Sequence, residues 1–67
     1  MDASFGFVIY SPEHGYYEER LDLEEAKFSN NLDCRHFELI EQARANLEWI
    51  VTKYPDSFVM EHGVKRV

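Results

Sequence analysis

The stretch from Leu32 to Tyr54 is the only segment of this chain long and periodic enough to build a substantial helix. Ile40, Ala43, Leu47, Ile50 and Tyr54 recur at spacings of three and four, with Phe37 and Val51 beside them. That is the period of an amphipathic helix, so the core is expected on this stripe. The run Ser29-Asn30-Asn31 before it is a natural breaker, and an Asn there suits an N-cap. Asp33 would then lie at the positive end of the helix dipole and Lys53 at the negative end. Pro55 disfavours helical geometry at Tyr54, which sets the end near Lys53. With Ile40 as the centre of the buried stripe, Trp49 falls nearly half a turn away, beside Gln42, Ala45 and Thr52. The helix is therefore expected to show a tryptophan on its outer face.

The segments around the helix read as strands. Ser4 to Tyr10 alternates Phe5, Phe7 and Ile9 with Gly6, Val8 and Tyr10, and is apolar enough on both faces for a central strand. Ser11-Pro12-Glu13-His14-Gly15 is a turn in which Pro12 presets its own φ and Gly15 admits a positive one. Tyr16 to Leu21 returns as the second arm of a β-hairpin with a five-residue loop. Tyr17, Glu19 and Leu21 are expected on one side, and Tyr16, Glu18 and Arg20 on the other. Leu23 to Ala26 is expected to form one helical turn capped by Asp22, with Phe28 tucked beneath the sheet or the helix. Phe58 to Val67 reads as a closing strand with a bulge or bend at Gly63. The expected fold is α+β, in the order β-β-α-β. It is a three-stranded antiparallel sheet (order 2-1-3) with one face covered by the single long helix, residues 1–67 forming one domain. The alternative places the last strand on the outer edge of the hairpin.

A chain of 67 residues hides only roughly 60% of the surface its unfolded form exposes, so its stability is marginal. Cys34 is the only cysteine, which excludes a disulfide within one copy and points to a reducing, cytoplasmic setting. No run approaches the roughly 18 apolar residues of a membrane span, and the N-terminus lacks the features of a signal peptide. Met1 suggests a whole small gene product. Ten aromatic residues argue for a folded chain despite a net charge of −6. That charge repels nucleic acid and anionic lipid, and favours solubility or a basic protein partner.

Candidate chemistry is sparse. His14, His36 and His62 are scattered, and Cys34-Arg35-His36 lacks the paired spacing of a zinc site, so no metal or cofactor is expected. Cys34 near a helix start would have its thiolate favoured, yet no base or orienting group accompanies it, and no catalytic residue is assigned. Glu18-Glu19 and Glu24-Glu25 read as a solvated acidic edge. Tyr10, Tyr16 and Tyr17 could form a stacking platform, but the basic groove that accompanies such platforms is missing, so direct nucleic-acid binding is not expected.

Two features remain as candidate contact surfaces. Glu13, Glu18, Glu19, Asp22, Glu24 and Glu25 place six carboxylates within thirteen residues, interleaved with Tyr16 and Tyr17. Such a cluster could imitate a nucleic-acid backbone and steer a basic protein by charge. Equally, it could keep an edge strand from pairing with other chains. Trp49, with small Ala45 beside it, could seal a homodimer or dock on another protein, unless another part of the chain covers it.

In outline the chain resembles small acidic proteins of bacteriophages and mobile elements. The likeness rests on an aromatic strand (Phe7-Val8-Ile9-Tyr10), a turn into Gly15-Tyr16-Tyr17, one long helix and a closing strand. That group includes anti-CRISPR inhibitors. The resemblance implies a non-enzymatic protein-binding inhibitor or modulator acting in a host cytoplasm, with a DNA mimic as one form. It carries over no functional residue. The second expectation is a structural or assembly protein acting as a homodimer through the outer helix face.

Overall fold

The computed structural model describes residues 6–31, 34–61 and 65–67. These form β1 (Phe7–Ser11), β2 (Gly15–Arg20), β3 (Ala26–Ser29), α1 (Ile40–Lys53), β4 (Phe58–Glu61) and β5 (Lys65–Arg66). The strands make a single sheet in the order β3-β2-β1-β4-β5, with every neighbouring pair antiparallel. The α+β class with one helix on an antiparallel sheet agrees with the patterning. The three-stranded sheet in order 2-1-3 does not. The sheet continues past β2 into β3, and the two-residue β5 adds to its other edge. Ser4 and Phe5 of the first expected strand, Leu32 and Asp33 at the expected helix start, and the bend expected at Gly63 lie outside the described residues.

β1 is central because both of its faces are apolar. Ile9 is fully buried in the core with Tyr17, Ala26, Phe37, Ala43, Ile50 and Val59. Val8, one residue away and so on the opposite face, is also fully buried. The hairpin forms as expected, although Tyr10↔Tyr16 and Ser11↔Gly15 pair directly and leave only Pro12, Glu13 and His14 in the loop. Gly15 has φ +106°, and a Cβ there would collide with the Ser29 carbonyl on β3.

The helix starts eight residues later than its periodicity suggests. Phe37 is spaced three residues before Ile40 and so extends the apolar stripe, but it belongs to an extended crossing segment. It exchanges two 2.8 Å backbone hydrogen bonds with Phe7, and Arg35 donates a third to the Tyr17 carbonyl at 3.3 Å. The Phe37 ring lies buried and parallel to Tyr17, at 6.3 Å and 4°. Tertiary pairing here overrides helical propensity. The crossing is close: a Cβ on Gly6, which has φ +127°, would stand 2.8 Å from the Phe37 carbonyl oxygen.

The helix proper begins after Leu39, whose N–H donates to the Gln42 side-chain oxygen, and not after an Asn cap. It ends where Pro55 requires, with Tyr54 N–H bonded to the Ile50 carbonyl at 2.8 Å. Ala43 and Ile50 are its buried residues. No helix among the described residues is long and apolar enough to cross a membrane.

Candidate functional site

The most distinctive surface grows from a bulge in β2. Tyr17 pairs with Phe28, and the register then shifts so that Glu19 pairs with Lys27 and Arg20 with Ala26. A bulge inserts one residue and reverses the alternation beyond it. Arg20 therefore joins Tyr17 and Ala26 on the helix side of the sheet, contrary to the simple alternation that grouped it with Tyr16 and Glu18. Its guanidinium lies over the Trp49 ring at 4.2 Å.

That contact corrects the expectation for Trp49. The centre of the buried stripe is Ile50 with Ala43, while Ile40 is only half-buried. Trp49 stands about 100° from Ile50 on the wheel, at the flank of the stripe and not opposite it. It is half-buried, packs edge-on against Tyr17 at 5.9 Å and donates its indole N–H to Asn46 at 3.2 Å. The outward tryptophan on which a homodimer face depended is instead a support beneath Arg20.

Arg20 in turn holds the loop from Leu21 to Glu25. Its Nε donates to the Asp22 carbonyl at 3.1 Å and its Nη2 to the Leu23 carbonyl. The Leu21 and Asp22 N–H groups both donate to the Glu25 carbonyl, at 2.8 and 3.2 Å, and Asp22 Oδ1 accepts from Leu23 N–H at 2.8 Å. The expected helical turn at Leu23–Ala26 is thus replaced by a closed β2–β3 loop, with Ala26 already in β3. Lys53 of the helix reaches Glu25 at 3.0 Å, and this hydrogen bond raises the lysine pKa despite some desolvation.

The loop so held carries Leu21 and Leu23, which are 60% and 76% exposed. Arg20, Leu21, Asp22 and Leu23 line a shallow, open hollow of about 380 Å3. Asp22 is part of that lining, and Glu19, Glu24 and Glu25, all exposed, are near it in the chain. Two large apolar side chains are thus presented to solvent on an acidic loop whose Leu21, Asp22 and Leu23 N–H groups are all hydrogen-bonded.

The other residues read from the sequence as one surface separate in space. Tyr17 is 3% exposed and belongs to the core, where burial pushes its phenol pKa up against the opposing charges of Arg35 and Arg20. Tyr16 lies on the face away from the helix, 4.8 Å from Tyr10, which in turn meets Phe58 at 5.8 Å. Glu18 pairs with Lys27 at 3.6 Å. Glu13 sits at the β1–β2 turn. Cys34 stands in the extended crossing segment, so the helix-dipole argument for its thiolate does not apply.

Glu13 lies beside a cluster that spacing alone did not reveal. Ser11 is fully buried and donates to the Asp56 carboxylate, 3.0 Å from each oxygen, across 45 residues of chain. The Ser11 hydroxyl oxygen accepts from His14 N–H at 3.2 Å and stands 3.1 Å from His14 Nδ1. Glu13 N–H donates to Asp56 at 3.2 Å. Burial pushes the Asp56 pKa up, but the bonds from Ser11 and Glu13 outweigh it and hold the carboxyl below its ordinary value. Serine, histidine and aspartate together suggest a charge relay, yet the order is wrong: in such a relay histidine stands between the other two. Here Ser11 is the middle member, buried, and donates its hydrogen bond to the carboxylate. The arrangement ties the hairpin tip to the α1–β4 turn. The topology held the one available clue, since β1 and β4 are antiparallel neighbours and bring Ser11 and the Asp56 turn to the same end of the sheet.

No known protein family, curated protein or solved structure matches the chain.

Proposed function

We propose that this chain is a small acidic protein-binding module that inhibits or modulates a larger protein, docking through the β2–β3 loop onto a basic, nucleic-acid-binding surface. One observation carries the reading: Leu21 and Leu23 stand 60% and 76% exposed on a loop that Arg20 and Trp49 brace from behind. Leaving large apolar side chains in water on a rigid support favours association, because the ordering cost is already met in the free protein. Fully burying each leucine contributes roughly 1.5–3 kcal/mol. Together they fall short of the roughly 8 kcal/mol of a micromolar complex, so the flanking carboxylates must add to binding as well as steer it. Glu19 and Glu24 form no ion pair among the described residues, which leaves them available to partner cations. The outline resemblance to acidic phage proteins supports the inhibitory role and a site of action in host cytoplasm.

The test is capture from host extract with the parent chain, a Glu19→Lys/Glu24→Lys variant and a Leu21→Ser/Leu23→Ser variant. The expected partner is held by the parent, released as salt rises and lost with both variants. A partner held equally by all three, at any salt, contradicts the proposal.

A further inference from the structure

We propose that Glu13, His14 and Asp56 form a binding site for a divalent transition cation of the zinc class at the tip of the β1–β2 hairpin. One donor atom from each residue lies within 4.8 Å of the others, although Asp56 is 43 residues from Glu13 in the chain. Donors that share one tetrahedral ion at about 2.0–2.2 Å stand about 3.3–3.6 Å apart. The side chains must therefore draw together by about 1 Å on binding, which the exposed Glu13 is free to do.

Three further observations favour a cation here. Two carboxylates converge, yet among the described residues no lysine or arginine lies within ion-pair distance of either. The buried Ser11 hydroxyl contacts both Asp56 and the His14 ring, and so helps to orient two of the three donors. Groups in that position hold ligands in place in metal sites. Finally, the His14 ring packs against Phe28 at 5.5 Å and Tyr54 at 4.9 Å, which restricts its orientations before an ion binds.

One imidazole with two carboxylates suits zinc, cobalt, nickel or manganese, and magnesium poorly, since magnesium prefers oxygen donors throughout. Solvent completes the coordination. The bound ion would cross-link the hairpin tip to the α1–β4 turn.

The test is calorimetric titration of the whole, chelator-treated chain with zinc chloride near neutral pH, alongside backbone amide NMR. The site predicts one zinc per chain, with amide shifts centred on residues 12–15 and 55–57. Glu13→Gln, His14→Asn and Asp56→Asn each weaken binding by about tenfold or more. Cys34→Ser leaves it unchanged, and magnesium does not compete. Glu13 is exposed, so its variant keeps the test decisive even if the others unfold. No binding at millimolar zinc, or binding that needs Cys34 and ignores Glu13→Gln, overturns the proposal.

Discussion

Arg20 connects two parts of the molecule that the chain keeps apart. Its guanidinium lies on Trp49 of the helix, while its N–H groups hold the carbonyls of Asp22 and Leu23. A planar fork can stack and donate at once, which an ammonium cannot. Arg20→Lys is therefore expected to behave like Arg20→Ala, each costing about 1–2 kcal/mol in urea unfolding. The same variants expose Trp49, the only tryptophan, so its emission should move to the red. A lysine variant as stable as the parent would remove the fork from the account. Asp56 gives a second prediction at this scale. Its pKa is lowered on folding, so its contribution is complete above the unfolded value of about 4 and is lost as pH falls through the folded one. Thermal unfolding of Asp56→Asn should thus differ from the parent at neutral pH and converge on it in acid. An unchanged difference across that range would contradict the hydrogen-bonded carboxylate.

Among the elements, the boundary of the helix separates two accounts of the segment before it. Residues 34–39 are not helical, and Arg35 and Phe37 among them bond to β2 and to β1, whereas residues 40–53 are helical. A glycine in an exposed helix interior costs about 1 kcal/mol relative to alanine. Arg44→Gly, relative to Arg44→Ala, should show that cost; Glu38→Gly, relative to Glu38→Ala, should stay within about 0.5 kcal/mol. Equal costs at both positions would place Glu38 in a helix. The same elements show what the sequence could and could not reveal. The hairpin and the helix C-terminus were legible because Gly15 and Pro55 act locally. The helix start was not, because Phe37 has the right spacing for the stripe and its extended state depends on a distant partner, Phe7. β3 has no clear signal in the sequence because Ala26-Lys27-Phe28-Ser29 is short and follows an acidic run. The bulge at Glu18-Glu19 has no local signature, and it alone decides that Arg20 meets Trp49. The acidic residues were legible as a group, but their division between loop, ion pair and hairpin tip depends on the sheet.

At the scale of the whole molecule, one sheet face is covered by the helix, and the β2–β3 loop projects exposed leucines from the end of β2. The helix builds the core through Ala43 and Ile50 and supports that loop through Trp49, so a single element serves folding and the proposed contact surface. In the proposed complex the acidic residues of the loop steer a basic surface towards it, and the leucines are the apolar contact. The most direct measurement is photocrosslinking in host extract from a benzoyl-phenylalanine placed at Leu23, compared with one at Thr52 on the exposed helix face. One crosslinked protein is expected from position 23, absent from position 52 and lost when Glu19 and Glu24 are changed to lysine. Equal crosslinking from both positions, or crosslinking from position 23 that survives the charge reversal, would contradict the proposed contact.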